Sequence, residues 1–249
     1  MGSRSISDPE GASPAPGAFC ASQSAARVEL RDLGRVPYAE AFAMQRELVE
    51  RRKRGGIPDQ LLIVEHLPVV TMGRNGHDAN LLAAPELLER AGIAFHRTDR
   101  GGDVTFHGPG QIVGYPIFDL REWKRDVVAY VRGIEETIIQ ALGEFGIEGG
   151  REPGATGVWV QAPAGPAKIA AIGIHISRWV TSHGFALNVD TDLDYFRYIV
   201  PCGLTKPVTS MRALGSRARR EEVVAALARA FGKVFQREVQ AEELVMEKL

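Results

Sequence analysis

Apolar positions along this chain alternate between helical spacing and short strand-like runs. The longest helical pattern covers residues 126–146, where Val127, Val128, Val131, Ile134, Ile138, Leu142 and Phe145 make one apolar stripe, as a helix lying on a sheet requires. A second follows Pro37, with Tyr38, Ala41, Phe42, Gln45, Leu48 and Val49 on one face and Gly55 and Gly56 ending it. A third spans residues 221–235, with Val224, Leu227, Ala228 and Phe231 in register, and residues 84–92 suit a short helix. Strand-like runs fall at 28–33, 61–65, 93–98, 156–161, 168–177 and 180–188, with one more around Val239. The three runs between 156 and 188 are separated by short Pro/Gly or polar links, which favours antiparallel pairing. Helices interspersed with such runs predict an α+β fold: a mixed, mostly antiparallel sheet with packed helices. No internal repeat is found.

The first 26 residues are rich in Ser, Ala, Gly and Pro and lack large apolar side chains, so they are expected to form a disordered tail, with 27–249 as a single catalytic domain. The remaining composition, 45% apolar and 24% charged, is that of an ordinary globular protein. With 30 basic and 31 acidic side chains the net charge is -1, so no global field draws in nucleic acid or anionic lipid. A charged partner has to meet a local patch, for which the basic runs 51–54 and 217–220 are candidates; a solvated helix end explains the first equally well. No run of about 18 apolar residues occurs, and neither membrane insertion nor a secretory leader is expected. The two cysteines, Cys20 and Cys202, have no disulfide or metal spacing, which suits free thiols in the cytoplasm. The histidines, His66, His77, His96, His107, His175 and His183, show no zinc spacing, and no metal is expected.

Candidate chemistry gathers in three places. Residues 100–111 read RGGDVTFHGPGQ, four glycines and a proline among polar side chains in what reads as a loop between strands. Such a loop can offer N–H groups to a phosphate or a carbonyl, but its spacing is neither the P-loop nor the dinucleotide fingerprint, and a ligand-free tight turn fits it as well. His107 within it is either a hydrogen-bonded structural ring or a catalyst. Cys202 sits in Pro201-Cys202-Gly203-Leu204, an irregular stretch that can present sulfur to a cleft; a lone cysteine is otherwise an inert small hydrophobe unless a base lowers its pKa. Lys168 opens a strand in which Ala170, Ile172, Ile174 and Ile176 share its parity, so unless a bulge intervenes its ammonium shares their face. A desolvated lysine there can accept a thiol proton; one at a strand end can instead snorkel into water.

Taken in order, RGGDVTFHGPGQIVGYPI (100–117), GATGVWV (154–160), KIAAIGIHISRWVTSHGFALNV (168–189) and YFRYIVPCGL (195–204) resemble the lipoyl(octanoyl) transferase family, related to the biotin and lipoate protein ligases. The resemblance covers about residues 28–235 and implies an acyltransferase of that ligase-like fold, with no cofactor and no ATP. It implies transfer of octanoyl from acyl carrier protein to the target lysine of lipoyl domains, those of 2-oxoacid dehydrogenases and the glycine cleavage H protein. Cys202 would be the thioester nucleophile and Lys168 its proton-handling partner. The acyl pocket would be Arg100, Gly101, Gly102, Asp103, Val104, Thr105, Phe106 and His107, with Ala171, Ile172 and Gly173, and Gly184, Phe185 and Ala186. Three alternatives stand beside it: an ATP-dependent ligase of the same fold, a noncatalytic carrier- or lipoyl-domain-binding protein, and a Cys202–His107 pair.

Overall fold

The computed structural model describes residues 26–163, 165–200 and 206–241. Cys20, the tail before Ala26 and the stretch from Pro201 through Cys202 to Leu204 lie outside the described residues. Among the described residues eleven strands and four α-helices follow one another: β1 (Arg27–Val36), α1 (Tyr38–Lys53), β2 (Asp59–His66), β3 (Val69–Met72), α2 (Pro85–Arg90), β4 (Ala94–Arg97), β5 (Val104–His107), β6 (Gln111–Ile117), α3 (Val127–Gly143), β7 (Gly149–Glu152), β8 (Ala155–Ala162), β9 (Gly165–Ser177), β10 (Val180–Asn188), α4 (Arg220–Phe235) and β11 (Glu238–Ala241). An eight-stranded sheet runs β11-β1-β2-β6-β10-β9-β8-β7, parallel only where β1 meets β11 and β2; a small sheet runs β4-β3-β5. The expected α+β architecture with a mixed, mostly antiparallel sheet is what the chain adopts.

One face of the large sheet is covered by α3 and α4. Ile134, Ile138, Leu142, Leu227 and Phe231 meet Leu61, Ile63, Ile112, Phe185, Leu187, Val158 and Ile169 there. Asp126 starts α3 by accepting from the Ala129 N–H at 2.9 Å. Its first turn departs from the expected stripe: Val128 is 69% exposed and Val127 is also exposed, so the packed face begins at Tyr130. On the opposite face α1 packs Ala41, Leu48 and Val49 on Leu62, Val64, Val113 and Ile117. The small sheet builds a third core from Val70, Val104, Phe106, Leu88 and Ile93 with Phe196 and Ile199.

Four strands were not legible as such. β3, β5 and β7 are only four residues long, too short for alternation to show, and every residue of β6 is buried, which erases it. The glycine-rich segment is therefore not one loop: Val104–His107 is a strand, and a tight turn leads from it into β6. The basic run at the end of α1 is not simply solvated either. Arg52 is buried and pairs with Asp59 at 2.9 Å and Glu122 at 2.6 Å, clamping the helix end to the sheet.

Aromatic packing fastens α3 to α4. Phe235 is fully buried among Phe118, Trp123, Tyr130 and Phe231, and Gly133 of α3 admits its ring, since a Cβ there would lie 2.7 Å from it. Phe235→Ala should cost about 3–5 kcal/mol in urea unfolding, whereas Val128→Ala should change stability by no more than about 0.5 kcal/mol.

Candidate active site

Lys168 owes its direction to a bulge. Across the β8–β9 pair, Val158 faces Ala170 but Trp159 faces Lys168, so β9 spends two residues where β8 spends one. Ile169 and Ala170 both enter the core under α3 and α4. The parity expected from sequence is thereby broken: Lys168 lies with Ala171, away from the isoleucine stripe. Its side chain is buried, 6% exposed, and its Nζ stands 4.9 Å from the centre of the Trp159 ring. Lys206 brings its own Nζ to 5.4 Å from that ring and is ion-paired with Glu152.

The backbone of Lys168 also holds the chain that follows Cys202. Its N–H donates to the Pro207 carbonyl and its carbonyl accepts from the Thr209 N–H, both at 2.9 Å. On the other side of the cysteine, the Val200 N–H donates to the Asn80 carbonyl at 2.7 Å, and Ile199 bridges to Leu81. Asp103 secures that turn, its carboxylate accepting from the His77 N–H at 3.1 Å, from Asn80 Nδ2 and from the Val104 N–H at 2.7 Å.

Between the large sheet and the small one lies a slot in two adjoining parts. The inner part, at Lys168, is bounded by Gln111, Asn188, Phe196 and Val208; the outer part by Arg100, Gly102, His107, Val113, Ile172 and Phe185. Thr105, Ala171 and Ala186 are common to both, and Gly173 and Gly184 continue the floor outward. The roof touches the floor at Gly101, whose N–H donates to the Ile174 carbonyl at 2.8 Å; a side chain on Gly173 would meet the Gly101 oxygen at 2.7 Å. Of the residues singled out from sequence, Arg100, Gly102, Thr105, His107, Ala171, Ile172, Gly173, Gly184, Phe185 and Ala186 thus line the outer part, and Lys168 lines the adjoining inner part. Gly101 and Asp103 brace its rim. Val104 and Phe106 face the other way, into the small core, where Phe106 stacks on Tyr195 at 4.7 Å.

Sequence reasoning missed Tyr38, Tyr115 and His183, which close the outer end. Tyr38 reads as one more position of the α1 stripe. Tyr115 lies in a run without alternation, and His183 shows itself only through a left-handed backbone (φ 55°) that no sequence pattern reveals.

The histidines, tyrosines and amides around the slot are hydrogen-bonded to one another, to neighbouring side chains or to the backbone. The Val36 carbonyl can only accept, so His66 Nδ1 donates to it at 3.0 Å and Nε2 accepts from the Tyr115 hydroxyl at 2.7 Å. Burial lowers His66 to about 4 and His107 to about 3, and pushes the Tyr115 hydroxyl well above its ordinary range. A directed chain of hydrogen bonds runs along the slot. Arg100 donates to Thr71 Oγ1 (3.0 Å), which donates to His107 Nε2 (3.4 Å); His107 Nδ1 donates to Gln111 Oε1 (2.8 Å). Gln111 Nε2 then donates to Asn188 Oδ1 (2.8 Å), and Asn188 Nδ2 to the Thr209 carbonyl (3.0 Å). His107 is thus fully engaged as a neutral ring. Among the described residues no group of His, Cys, Asp and Glu could hold a metal ion, and no helix is long and apolar enough to cross a membrane.

These features can be set beside known proteins. Residues 37–232 match the model of the lipoyl protein ligase A/B catalytic domain. An octanoyltransferase of Solibacter usitatus is 64% identical over 206 residues, which is 83% of this chain and 92% of the relative; one of Koribacter versatilis is 55% identical over 217 residues, 85% and 86%. Among solved structures, lipoate-protein ligase A bound with ATP superposes with a TM-score of 0.69 at 16% identity, covering 89% of this chain and 90% of that one. A bi-partite lipoate protein ligase of Thermoplasma acidophilum gives 0.67 at 16%, covering 90% and 88%. At that identity the structures speak for the fold alone, while the sequence matches reach further: the chain belongs to the lipoyl protein ligase A/B catalytic domain family and stands among its octanoyltransferases.

Proposed function

We propose that this chain transfers an octanoyl group from acyl carrier protein to the target lysine of lipoyl domains through a thioester on Cys202. Residues 27–249 act as one catalytic domain in the cytoplasm. Octanoyl transfer, and with it acyltransferase activity, rests on kinship with octanoyltransferases up to 64% identical. The route through Cys202 rests on one observation above all: a buried lysine closes an apolar slot, and its own backbone holds the residues that follow the cysteine.

The chemistry follows from that pairing. Lys168, as the amine, takes the Cys202 proton, and the thiolate attacks the thioester carbonyl while backbone N–H groups stabilise the oxyanion. Collapse expels the carrier thiol, which recovers the proton from Lys168. One thioester replaces another, so no nucleotide is needed. The acceptor lysine then attacks as a neutral amine, and Lys168 moves its proton to the departing Cys202 sulfur. The chain lies along Ala171, Ala186, Gly173 and Gly184, where each methylene withdrawn from water contributes about 0.8 kcal/mol. Neutral histidines suit such a lining, because His66 and His107 add no charge beside the chain. The carrier is a negatively charged partner in this reading, met by exposed cations such as Arg51, Arg54 and Arg217.

Incubation with octanoyl-carrier protein without acceptor should leave a hydroxylamine-labile octanoyl mass on the wild type and none on Cys202→Ser. Acyl transfer to a lipoyl domain without any adduct would instead mean direct transfer. Lys168→Met should fold normally by circular dichroism yet lose about 10²- to 10⁴-fold in kcat/KM. The buried histidines His66 and His107 also set an acid limit. Being lowered, they stay neutral in the fold while the unfolded rings titrate near 6.5, so stability is full above that pH and declines as pH falls toward about 4 for His66 and about 3 for His107. At pH 5 the loss should be about 2 kcal/mol for each ring, and His66→Gln should remove its share, as urea midpoints at pH 7 and pH 5 would show.

A further inference from the structure

At the outer end of the slot, His183 separates two spaces. On its inner side is the acyl slot, to which it contributes a wall beside Tyr38 and Tyr115. On its outer side a surface groove follows α1, and three residues of that groove hold His183 in place. Asp99 accepts from Nε2 at 2.7 Å, Phe42 stacks on the imidazole with ring centres 5.4 Å apart, and Gln45 Oε1 accepts from the His183 N–H at 2.8 Å. The histidine is 2% exposed, whereas the Asp99 side chain is half exposed on the groove side. Beyond the contact the groove continues between Arg46, Lys53 and His175.

Two further observations suggest that this wall is built rather than incidental. His183 adopts a left-handed conformation in the middle of β10 at φ 55°, a cost that a non-glycine residue meets only where its surroundings hold it there. The position also sets a length. From Asn188, beside Lys168, to His183 is five residues of β10, about 17 Å at ~3.3 Å per residue. The two end side chains occupy part of that span, so the distance between them bounds the length of chain the slot can hold.

We propose that His183, held by Asp99 and Phe42, is the partition that sets acyl-chain length, and that removing it joins the slot to the groove along α1 and admits longer chains. This rests on the acyl-transfer reading, with the thioester at the Lys168 end and the methyl end at His183. A wall of this kind acts on chains that outgrow the slot, where one methylene too many is discriminated by about 10- to 200-fold.

The experiment is a comparison of kcat/KM for dodecanoyl- and octanoyl-carrier protein in the wild type, His183→Gly and Asp99→Ala. Glycine accepts the left-handed backbone and removes the ring; Asp99→Ala leaves the ring but unties it. The dodecanoyl-to-octanoyl ratio should rise by at least about tenfold in His183→Gly, and by a smaller factor in Asp99→Ala. Should His183→Gly fail to fold, Asp99→Ala carries the test alone. A ratio unmoved in every folded variant, whether or not turnover falls, would overturn the partition while leaving acyl transfer intact. A wild type that transfers no octanoyl group would remove the underlying reading, and this one with it.

Discussion

One extra residue in β9 governs the arrangement of the site. A strand without the bulge at Ile169 would turn Lys168 toward the helices and carry its ammonium into the core beneath α3 and α4, where burying an unpaired charge is prohibitive. With the bulge, Ile169 and Ala170 together fill that core, and Lys168 emerges on the other face against Trp159. The same shift leaves the Lys168 N–H and carbonyl free of β8 and available to residues 207–209. The aim of the lysine and the anchoring of the segment after Cys202 therefore have a common origin.

The slot is a polar shell around an apolar space. Its histidines and tyrosines satisfy one another, neighbouring side chains and the backbone, so they add no unpaired polar group to its wall. Arg100 is tied to the Thr71 carbonyl at 2.7 Å as well as to its hydroxyl, which keeps the guanidinium fixed at the slot wall. Small residues on the floor and the Gly101 contact on the roof then set the clearance.

Much of this was legible in the sequence, for reasons that differ by element. The periodic helices and the 168–188 hairpin were clear because each shows one face to a core and one elsewhere. The candidate site residues were singled out through a resemblance carried by whole motifs, since no spacing rule would have gathered Lys168, Thr105 and Ala186. What escaped depends on tertiary placement. The bulge reversed the face of Lys168, two-sided burial concealed β6 and Tyr115, and the backbone of His183 is set by a helix 138 residues earlier in the chain. Val104 and Phe106 lie inside a motif that reads as pocket, yet strand alternation sends them to the small core while Thr105 and His107 face the slot.

The stretch bearing Cys202 is moored to two different layers. Val200 hangs from Asn80, which Asp103 ties to the small sheet, and Pro207 hangs from Lys168 in the large one. Any breathing of one sheet against the other changes the distance between those moorings. Anything wedged between the two sheets would therefore shift Val200 relative to Pro207, so that filling the slot is felt on both sides of Cys202 at once.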